Sequence, residues 1–217
     1  MPNWVYNTLS IMGDAATIAQ IRAQVSAPYE TESLDWQTNQ RVKAVVEQPF
    51  SFWNIIKPTD LDAYHDNPVT HDQSGRDHWY NWNCRNWGVK WEASNPRENE
   101  EFTEGDADTW YNFETAWGIP NSAMLELSRQ YPTVTFELEF EEEGGWGGTM
   151  VYRNGCEEET EEYDTKCRDC DALNTLDYCE ECGENLCSKC NNIDEANKDA
   201  LSKCEEHKHL LEEETNA

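Results

Sequence analysis

Basic residues are scarce in this sequence. It holds 16 lysines and arginines against 44 aspartates and glutamates, which gives a formal net charge of -28 over 217 residues. Proteins that bind a phosphate backbone do so with clustered Lys and Arg side chains. Acidic residues outnumber basic ones both before and after residue 155, so we expect no direct binding of nucleic acid.

Long apolar runs are also missing. No window approaches the ~18 consecutive apolar residues that a membrane span requires. The opening Met-Pro-Asn-Trp-Val-Tyr has neither the basic nor the apolar region of a signal peptide. We therefore expect an intracellular protein with no membrane association. Disulfides rarely persist in that compartment, which favours metal binding over disulfides for the cysteines.

Tryptophan is absent from the C-terminal part of the chain. All ten tryptophans precede residue 155, and seven of the nine cysteines follow Cys156. The C-terminal part, with Tyr163 and Tyr178 as its only aromatic residues, is too small for a hydrophobic core and needs metal or disulfides. We predict a main domain over 1–155, an acidic linker over 156–166 and a cysteine-rich module over 167–217.

Hydrophobic patterning in the main domain predicts an α+β fold with helices on one face of an antiparallel or mixed sheet. The predicted strands are 3–11, 50–56, 89–93, 109–117, 134–141 and 149–153, and the predicted helices are 15–26, 77–87 and 121–130. Asp14 is expected to cap the first helix, and Gly88 to end the second. The strand at 134–141 alternates apolar residues with Thr135 and three glutamates, which predicts one solvated face.

The predicted helix 77–87 carries several aromatic residues. A helical wheel places Tyr80, Cys84 and Trp87 on one arc, which we expect to face the core. Trp79 and Trp82 point another way and form either a further layer of core or an exposed patch suited to a protein partner. Cys84 and Cys156, the cysteines outside the C-terminal pairs, are expected to be inert.

A polar stretch predicted as a loop over 60–76 and the start of that helix are rich in histidine and aspartate. Such residues could hold a catalytic metal, although no regular spacing supports that interpretation over a solvated loop. The candidate ligands are His65, Asp66, His71, Asp72, Asp77 and His78.

The C-terminal module contains four pairs with metal-ligand spacing. Each is Cys-x2-Cys or Cys-x2-His: Cys167 and Cys170, Cys179 and Cys182, Cys187 and Cys190, and Cys204 and His207. Four pairs in register provide eight ligands, enough for two tetrahedral zinc sites with no open coordination position. We therefore predict two structural zinc ions, with disulfides or redox thiols as the alternative.

The gaps between the pairs favour a cross-brace. The short gap between the second and third pairs resembles that of PHD, FYVE and B-box fingers, in which pairs one and three hold one ion and pairs two and four the other. The alternative joins adjacent pairs, with a tight first loop. His209 is an alternative last ligand to His207.

Several segments of the main domain resemble a known family. They are MPNWVYNTLSIMGD, FSFWNIIKP, WYNWNCRNWGVKWEAS, FETAWGIP and TFELEFEEEGGWGGTMVYRNG. They are similar to a phage- and plasmid-encoded family with a YubB-type ferredoxin-like domain, over about residues 1–155. The resemblance implies a ferredoxin-like fold and a viral or mobile-element origin, hence a host cytoplasm as the compartment. It supplies no catalytic residues.

These observations favour a non-enzymatic protein that binds a protein partner, from the host or another copy of itself. One form of this hypothesis is an acidic antagonist of a host nucleic-acid-directed defence system, in which the surface imitates a polyanion. Solubility or adaptation to high salt also explains the acidity, and net charge alone favours that interpretation. The alternatives are a structural or assembly protein and a metal-dependent enzyme using the His/Asp residues 65–78.

Overall fold

A computed structural model of the chain describes residues 3–35, 37–38, 40–65, 78–163, 176–178 and 185–187. The chain divides into two compact units, one comprising residues 1–142 and 149–160 and the other residues 143–148 and 161–217. Among the helices that these described residues form, none is long and apolar enough to cross a membrane.

The described residues form ten strands and four helices. In chain order they are β1 (Trp4–Met12), α1 (Ala15–Val25), β2 (Tyr29–Asp35), β3 (Gln40–Val46), α2 (Leu61–His65), α3 (Trp79–Asn86), β4 (Ser94–Glu98), β5 (Asp108–Ala116), α4 (Asn121–Gln130), β6 (Thr135–Glu142), β7 (Gly147–Arg153), β8 (Cys156–Tyr163), β9 (Leu176–Tyr178) and β10 (Asn185–Cys187).

The main sheet has the strand order β4-β5-β1-β6-β7-β8. β1 pairs antiparallel with both β5 and β6, and β4 pairs antiparallel with β5. The series β1-α1-β4-β5-α4-β6 therefore has the connectivity and strand order of a ferredoxin-like fold, with β7 and β8 extending the sheet. This confirms the predicted α+β class and the ferredoxin-like fold that the resemblance implied. β2 and β3 form a separate antiparallel hairpin.

Alternation along the strands determines which face of the main sheet is buried, because successive side chains point to opposite faces. The buried face packs against α1 and α4. Its core joins strand residues to helix residues: Leu9, Ile11, Tyr111, Phe136 and Leu138 with Ile18, Ile21, Met124 and Leu127. Asp14 caps α1 as predicted, since its Oδ1 accepts a hydrogen bond from the Thr17 amide at 3.0 Å.

Residues 50–56, predicted to be a strand, form a turn instead. The Ile56 amide donates to the Phe52 carbonyl at 3.0 Å, which closes one helical turn. Phe52 and Trp53 are adjacent and both buried, which strand alternation does not allow on a sheet with one solvated face. Their amides bond to the side chain of Glu92 rather than to a neighbouring strand.

Other predictions of local structure are also corrected. Residues 89–93 form bends, and β4 begins after them. Within the predicted loop 60–76, residues 61–65 form α2, and the polar stretch before residue 50 forms the β2–β3 hairpin. The predicted acidic linker 156–166 contains β8 in its described part. β8 lies at the sheet edge, where charged side chains can face water while the backbone pairs on one side.

Candidate functional site

Aromatic side chains surround a cavity of about 320 Å³ beside the turn at residues 52–56. Its aromatic lining comes from β2, the turn, α2, α3 and the segment after α3: Tyr29, Trp53, Tyr64, Trp79, Trp87 and Trp91. Tyr29 stacks on Trp53 with ring centroids 5.6 Å apart, and Tyr64 meets Trp53 edge-on at the same distance. These contacts hold the rings in a fixed arrangement. We call this space the aromatic cavity.

Glu92 supplies a carboxylate to the wall of the aromatic cavity. Its Oε1 accepts hydrogen bonds from the amides of Phe52 at 2.6 Å and Ala93 at 3.0 Å. Its Oε2 accepts from the Trp53 amide at 3.0 Å and the Ser51 hydroxyl at 3.1 Å. Burial raises the pKa of the Glu92 carboxyl, and the amide and hydroxyl donors oppose that shift.

Other polar groups of the cavity wall are also bonded within the protein. The Tyr64 hydroxyl donates to Asn83 Oδ1 at 2.9 Å, and Asn83 Nδ2 donates to the Lys90 carbonyl at 2.8 Å. Trp87 Nε1 donates to the Ile56 carbonyl at 2.9 Å. These bonds connect α2, α3 and the turn at residues 52–56, so the wall of the cavity is tied to the core.

Two carboxylates line the aromatic cavity, Glu32 and Glu92. Glu32 forms exposed ion pairs with Lys43 at 3.3 Å and Arg41 at 3.8 Å. Burial lowers the pKa of His65, so its ring is largely neutral at pH 7. In the described part of the chain, no Lys, Arg or His nitrogen lies within 4.0 Å of the Glu92 carboxylate. Among the described residues, Glu92 is therefore a carboxyl group of the cavity wall without an ion-pair partner.

The face of the main sheet opposite the helices carries a second feature. Strand register forms three cross-strand rows on it: Glu114, Tyr6 and Glu141; Asn112, Thr8 and Glu139; and Trp110, Ser10 and Glu137. The three glutamates of β6 recur at intervals of about 7 Å, twice the rise per residue of a strand. The alternation of β6 thus has the solvated side that its sequence predicts. We call these rows the open acidic face.

Basic groups lie at the sides of the open acidic face. Arg97 on β4 is in register with Asn112. On β7, Arg153 donates to Thr135 Oγ1 at 3.1 Å and forms an ion pair with Glu158 at 3.6 Å. Within the described residues, neither Glu137 nor Glu139 has a Lys, Arg or His nitrogen within 4.0 Å. The centre of the face is therefore acidic.

The aromatic helix differs in detail from its prediction. α3 ends at Asn86 and is followed by Trp87 and by Gly88, which has the positive φ, +88°, expected of a glycine that ends a helix. Trp87 is buried as predicted, but Cys84 is exposed and Trp82 is buried. Trp79 is partly buried against the same core. Trp79 and Trp82 lie three positions apart on the inward side, so they form a further layer of core.

The His/Asp candidates are only partly described. His65 ends α2 and lines the aromatic cavity. His78 precedes α3, and both its ring nitrogens are buried with no hydrogen-bond partner among the described residues. No group of three or more His, Cys, Asp or Glu side chains able to hold a metal occurs in that part of the chain. Four of the candidates lie outside it: Asp66, His71, Asp72 and Asp77.

The predicted zinc ligands also lie mostly outside the described residues: Cys167, Cys170, Cys179, Cys182, Cys190, Cys204 and His207. Cys187 is the last residue of β10. β9 and β10 pair antiparallel with Leu176 opposite Cys187, and the connection between them contains the Cys179–Cys182 pair. Cys84 and Cys156 are exposed free cysteines.

Glu92 and the aromatic cavity were not predicted. The lining comes from separate segments between residues 29 and 92, so no local spacing indicates that these residues meet. The one available signal is the density of aromatic residues between positions 50 and 91. It predicts a core but does not indicate which of these residues line a cavity.

Comparison with known proteins agrees with the fold. Residues 87–181 match the family model described as the ferredoxin-like domain in Api92-like protein. These residues therefore resemble the ferredoxin-like domain of Api92-like proteins. A crystal structure of the protein api92 from Yersinia pseudotuberculosis is similar, with a TM-score of 0.53 and 12% identity, over 76% of this chain and 99% of that one. At that identity the likeness shows the fold alone. No curated protein matches the sequence.

Proposed function

We propose that this is a non-enzymatic protein of a phage or mobile element that acts inside the host cell by binding a basic protein. In its specific form, the partner belongs to a host nucleic-acid-directed defence system, and this protein is its acidic antagonist. The observation that carries the proposal is the open acidic face, where Glu137 and Glu139 stand on β6 with no Lys, Arg or His nitrogen within 4.0 Å among the described residues.

The geometry of this face suits a cationic surface. A sheet holds its side chains at fixed intervals, so the carboxylates need little ordering when a partner binds. Tyr6 is 50% exposed between Glu114 and Glu141, and an aromatic ring beside carboxylates offers both a π face and a charge to an arginine. Proteins that handle nucleic acids present clustered Lys and Arg, which are complementary to such a face.

A charge-reversal experiment tests the proposal. Tagged full-length protein is purified from host cells alongside the double variant Glu137→Lys/Glu139→Lys. We expect the wild type to retain a partner with a clustered basic surface, which salt and duplex DNA release. Because the variant places cations against that surface, its affinity for this partner is expected to fall at least about tenfold.

The matched control has the same change in net charge at another place. Glu100 and Glu104 are exposed in the β4–β5 connection, outside the rows of the open acidic face, and Glu100→Lys/Glu104→Lys should leave binding within about twofold of the wild type. Equal loss in both variants would assign the binding to net charge rather than to this face. Retention of the partner by the face variant would contradict the proposal.

We also propose that the C-terminal module binds two structural zinc ions. The donors are seven thiolates and one imidazole, a set typical of closed tetrahedral zinc sites. In the sequence, the Cys179–Cys182 pair falls between β9 and β10, which pair antiparallel. These donors are suited to zinc, and the two ions would stabilise a module that is too small to form its own hydrophobic core.

A further inference from the structure

The aromatic cavity has the composition of a binding site for an organic cation. Aromatic rings provide π faces with negative electrostatic potential, and they attract cations most strongly when the cation is shielded from water. The cavity volume of about 320 Å³ is at the lower end of the range for small-molecule sites. It is lined by six aromatic rings and two carboxylates, Glu92 and the ion-paired Glu32.

Hydrogen bonding in the wall indicates which kind of cation fits. Both oxygens of Glu92 already accept two hydrogen bonds each from the protein. The polar atoms of Tyr64, Asn83 and Trp87 are likewise engaged with one another or with backbone carbonyls. A primary ammonium entering this cavity would lose hydration and find few free acceptors. A cation without N–H groups needs no hydrogen-bond acceptor in the cavity.

Electrostatics favours the same ligand. The Glu92 carboxylate has no Lys, Arg or His nitrogen within 4.0 Å among the described residues, and the four hydrogen bonds that it accepts favour its ionised form against the effect of burial. A ring of this wall already attracts a cation of the protein itself, since the Lys90 ammonium lies 4.4 Å from the centroid of Trp91. Lys90 is not among the lining residues, so the interior remains available.

We propose that the aromatic cavity binds a quaternary ammonium group, held by the π faces of Trp53, Trp79 and Trp91 and by the negative charge of Glu92. The group can belong to a free molecule of the choline type or to a trimethylated lysine side chain. This site is separate from the open acidic face, and its occupancy does not depend on the proposed protein partner.

Titration of the full-length protein with tetramethylammonium chloride, against sodium chloride at equal ionic strength, tests the site. Saturation-transfer NMR on the methyl protons and calorimetry both report binding. We expect a saturable one-site isotherm for tetramethylammonium and choline, and at least about tenfold weaker binding of 3,3-dimethylbutanol, the neutral isostere of choline. Equal binding of the isostere, or no saturation by either cation, would overturn the proposal.

Variants at exposed tryptophans test whether the cation binds in the aromatic cavity. Trp91 is 36% exposed, so Trp91→Leu should fold normally and weaken tetramethylammonium binding about 3- to 30-fold, with Trp91→Phe between it and the wild type. Trp117→Leu, at a tryptophan that is 61% exposed and outside the lining, is the control and should bind as the wild type does. Unchanged binding by Trp91→Leu would contradict the assignment.

Two further ligands identify the source of the group. Choline and a peptide containing trimethyllysine are compared with the same peptide carrying unmodified lysine. Tighter binding of choline would assign the cavity to a free small molecule. Tighter binding of the trimethylated peptide, together with at least about tenfold weaker binding of the unmodified one, would assign it to a modified protein. Equal binding of both peptides would contradict recognition of a quaternary group.

Discussion

The carboxylate of Glu92 accepts a hydrogen bond from the backbone amide of Phe52 at 2.6 Å. The same side chain also accepts from the amides of Trp53 and Ala93. Glu92 therefore provides the hydrogen-bond acceptor for three backbone amides. These bonds stabilise the turn at residues 52–56, in which Trp53 is buried in the core. One side chain thus links the backbone conformation of the turn to the wall of the aromatic cavity.

Replacement of Glu92 by alanine should be strongly destabilising. It leaves the amides of Phe52 and Trp53 and the Ser51 hydroxyl without their acceptor, and a buried unsatisfied donor costs on the order of 1–3 kcal/mol. We expect the free energy of unfolding to fall by about 3 kcal/mol, measured by urea denaturation. Glu104→Ala, in an exposed loop, should change it by less than about 0.5 kcal/mol. Similar values for the two variants would show that the Glu92 bonds contribute little.

Gly88 is expected to tolerate no side chain. Its φ is +88°, and an added Cβ would lie 2.9 Å from the amide nitrogen of Asn121 at the start of α4. We expect Gly88→Ala to lower the free energy of unfolding by about 2 kcal/mol, from backbone strain and displacement of α4. Gly118→Ala is the control, because nothing lies within 4 Å of its added Cβ. A neutral Gly88→Ala would mean that α4 shifts at little cost.

Buried tyrosines should make the protein sensitive to alkali. Burial raises the pKa of Tyr64, Tyr111 and Tyr152, and burial with the charge of Glu92 raises that of Tyr29 to about 12 from an ordinary 10.0. The folded state keeps protons that the unfolded state releases. Stability is therefore fully present below pH 10 and lost as the pH rises through 12.

Phenolate absorbance measures this titration. In the unfolded chain in denaturant, all nine tyrosines should ionise together near pH 10. In the folded protein, part of the absorbance increase should appear only at a higher pH than in the unfolded chain. This part should coincide with loss of the near-ultraviolet circular dichroism. Complete ionisation near pH 10 with the dichroism retained would contradict the burial of these hydroxyls.

Elemental analysis tests the zinc prediction directly. Protein purified without added metal should contain two zinc ions per chain. Cys179→Ser should reduce zinc binding and leave the thermal melt followed by tryptophan fluorescence unchanged, since all tryptophans precede residue 155. Cys84→Ser, at an exposed cysteine outside the four pairs, should leave the zinc content unchanged. One ion per chain, or disulfides without metal, would exclude the two-zinc module.

Nucleic acid should not bind the protein. With a net charge of -28, the surface repels a phosphate backbone, and lower salt strengthens that repulsion because screening is weaker. We expect no mobility shift of duplex DNA or single-stranded RNA at about 10 μM protein and low salt, conditions in which non-specific binders shift DNA. A shift that grows as salt falls would indicate a local basic patch.

Local pattern predicted most of the strands and helices of the main sheet domain well, whereas the ferredoxin-like fold was implied by the family resemblance. β6 alternates polar and apolar residues from Thr135 to Glu141, and burial alternates along β5 from Asp108 to Thr115. α4 was predicted with the bounds Asn121–Gln130 that the structure shows. Each of these elements has one face against the core, so its period is visible in the sequence. The solvated side of β6, and hence the open acidic face, follows from the same alternation.

Elements without hydrophobic periodicity were not predicted correctly. β2 and β3 form a hairpin in which every β3 residue except Val46 is exposed, so no buried face imposes a pattern. The turn at residues 52–56 was mistaken for a strand because its acceptor, Glu92, lies about 40 residues away along the chain. A hydrogen bond of that sequence separation has no local signature.

The sequence by itself determined the charge of this protein, the cysteine pairs of its C-terminal module, and the strands and helices that present one regular face to a core. These properties depend on residue type and spacing along the chain. The tertiary structure alone decided that six aromatic rings from separate segments enclose a cavity with Glu92 in its wall. That arrangement depends on which distant segments pack together. The same local sequence pattern would also fit a core in which these rings are packed without a cavity.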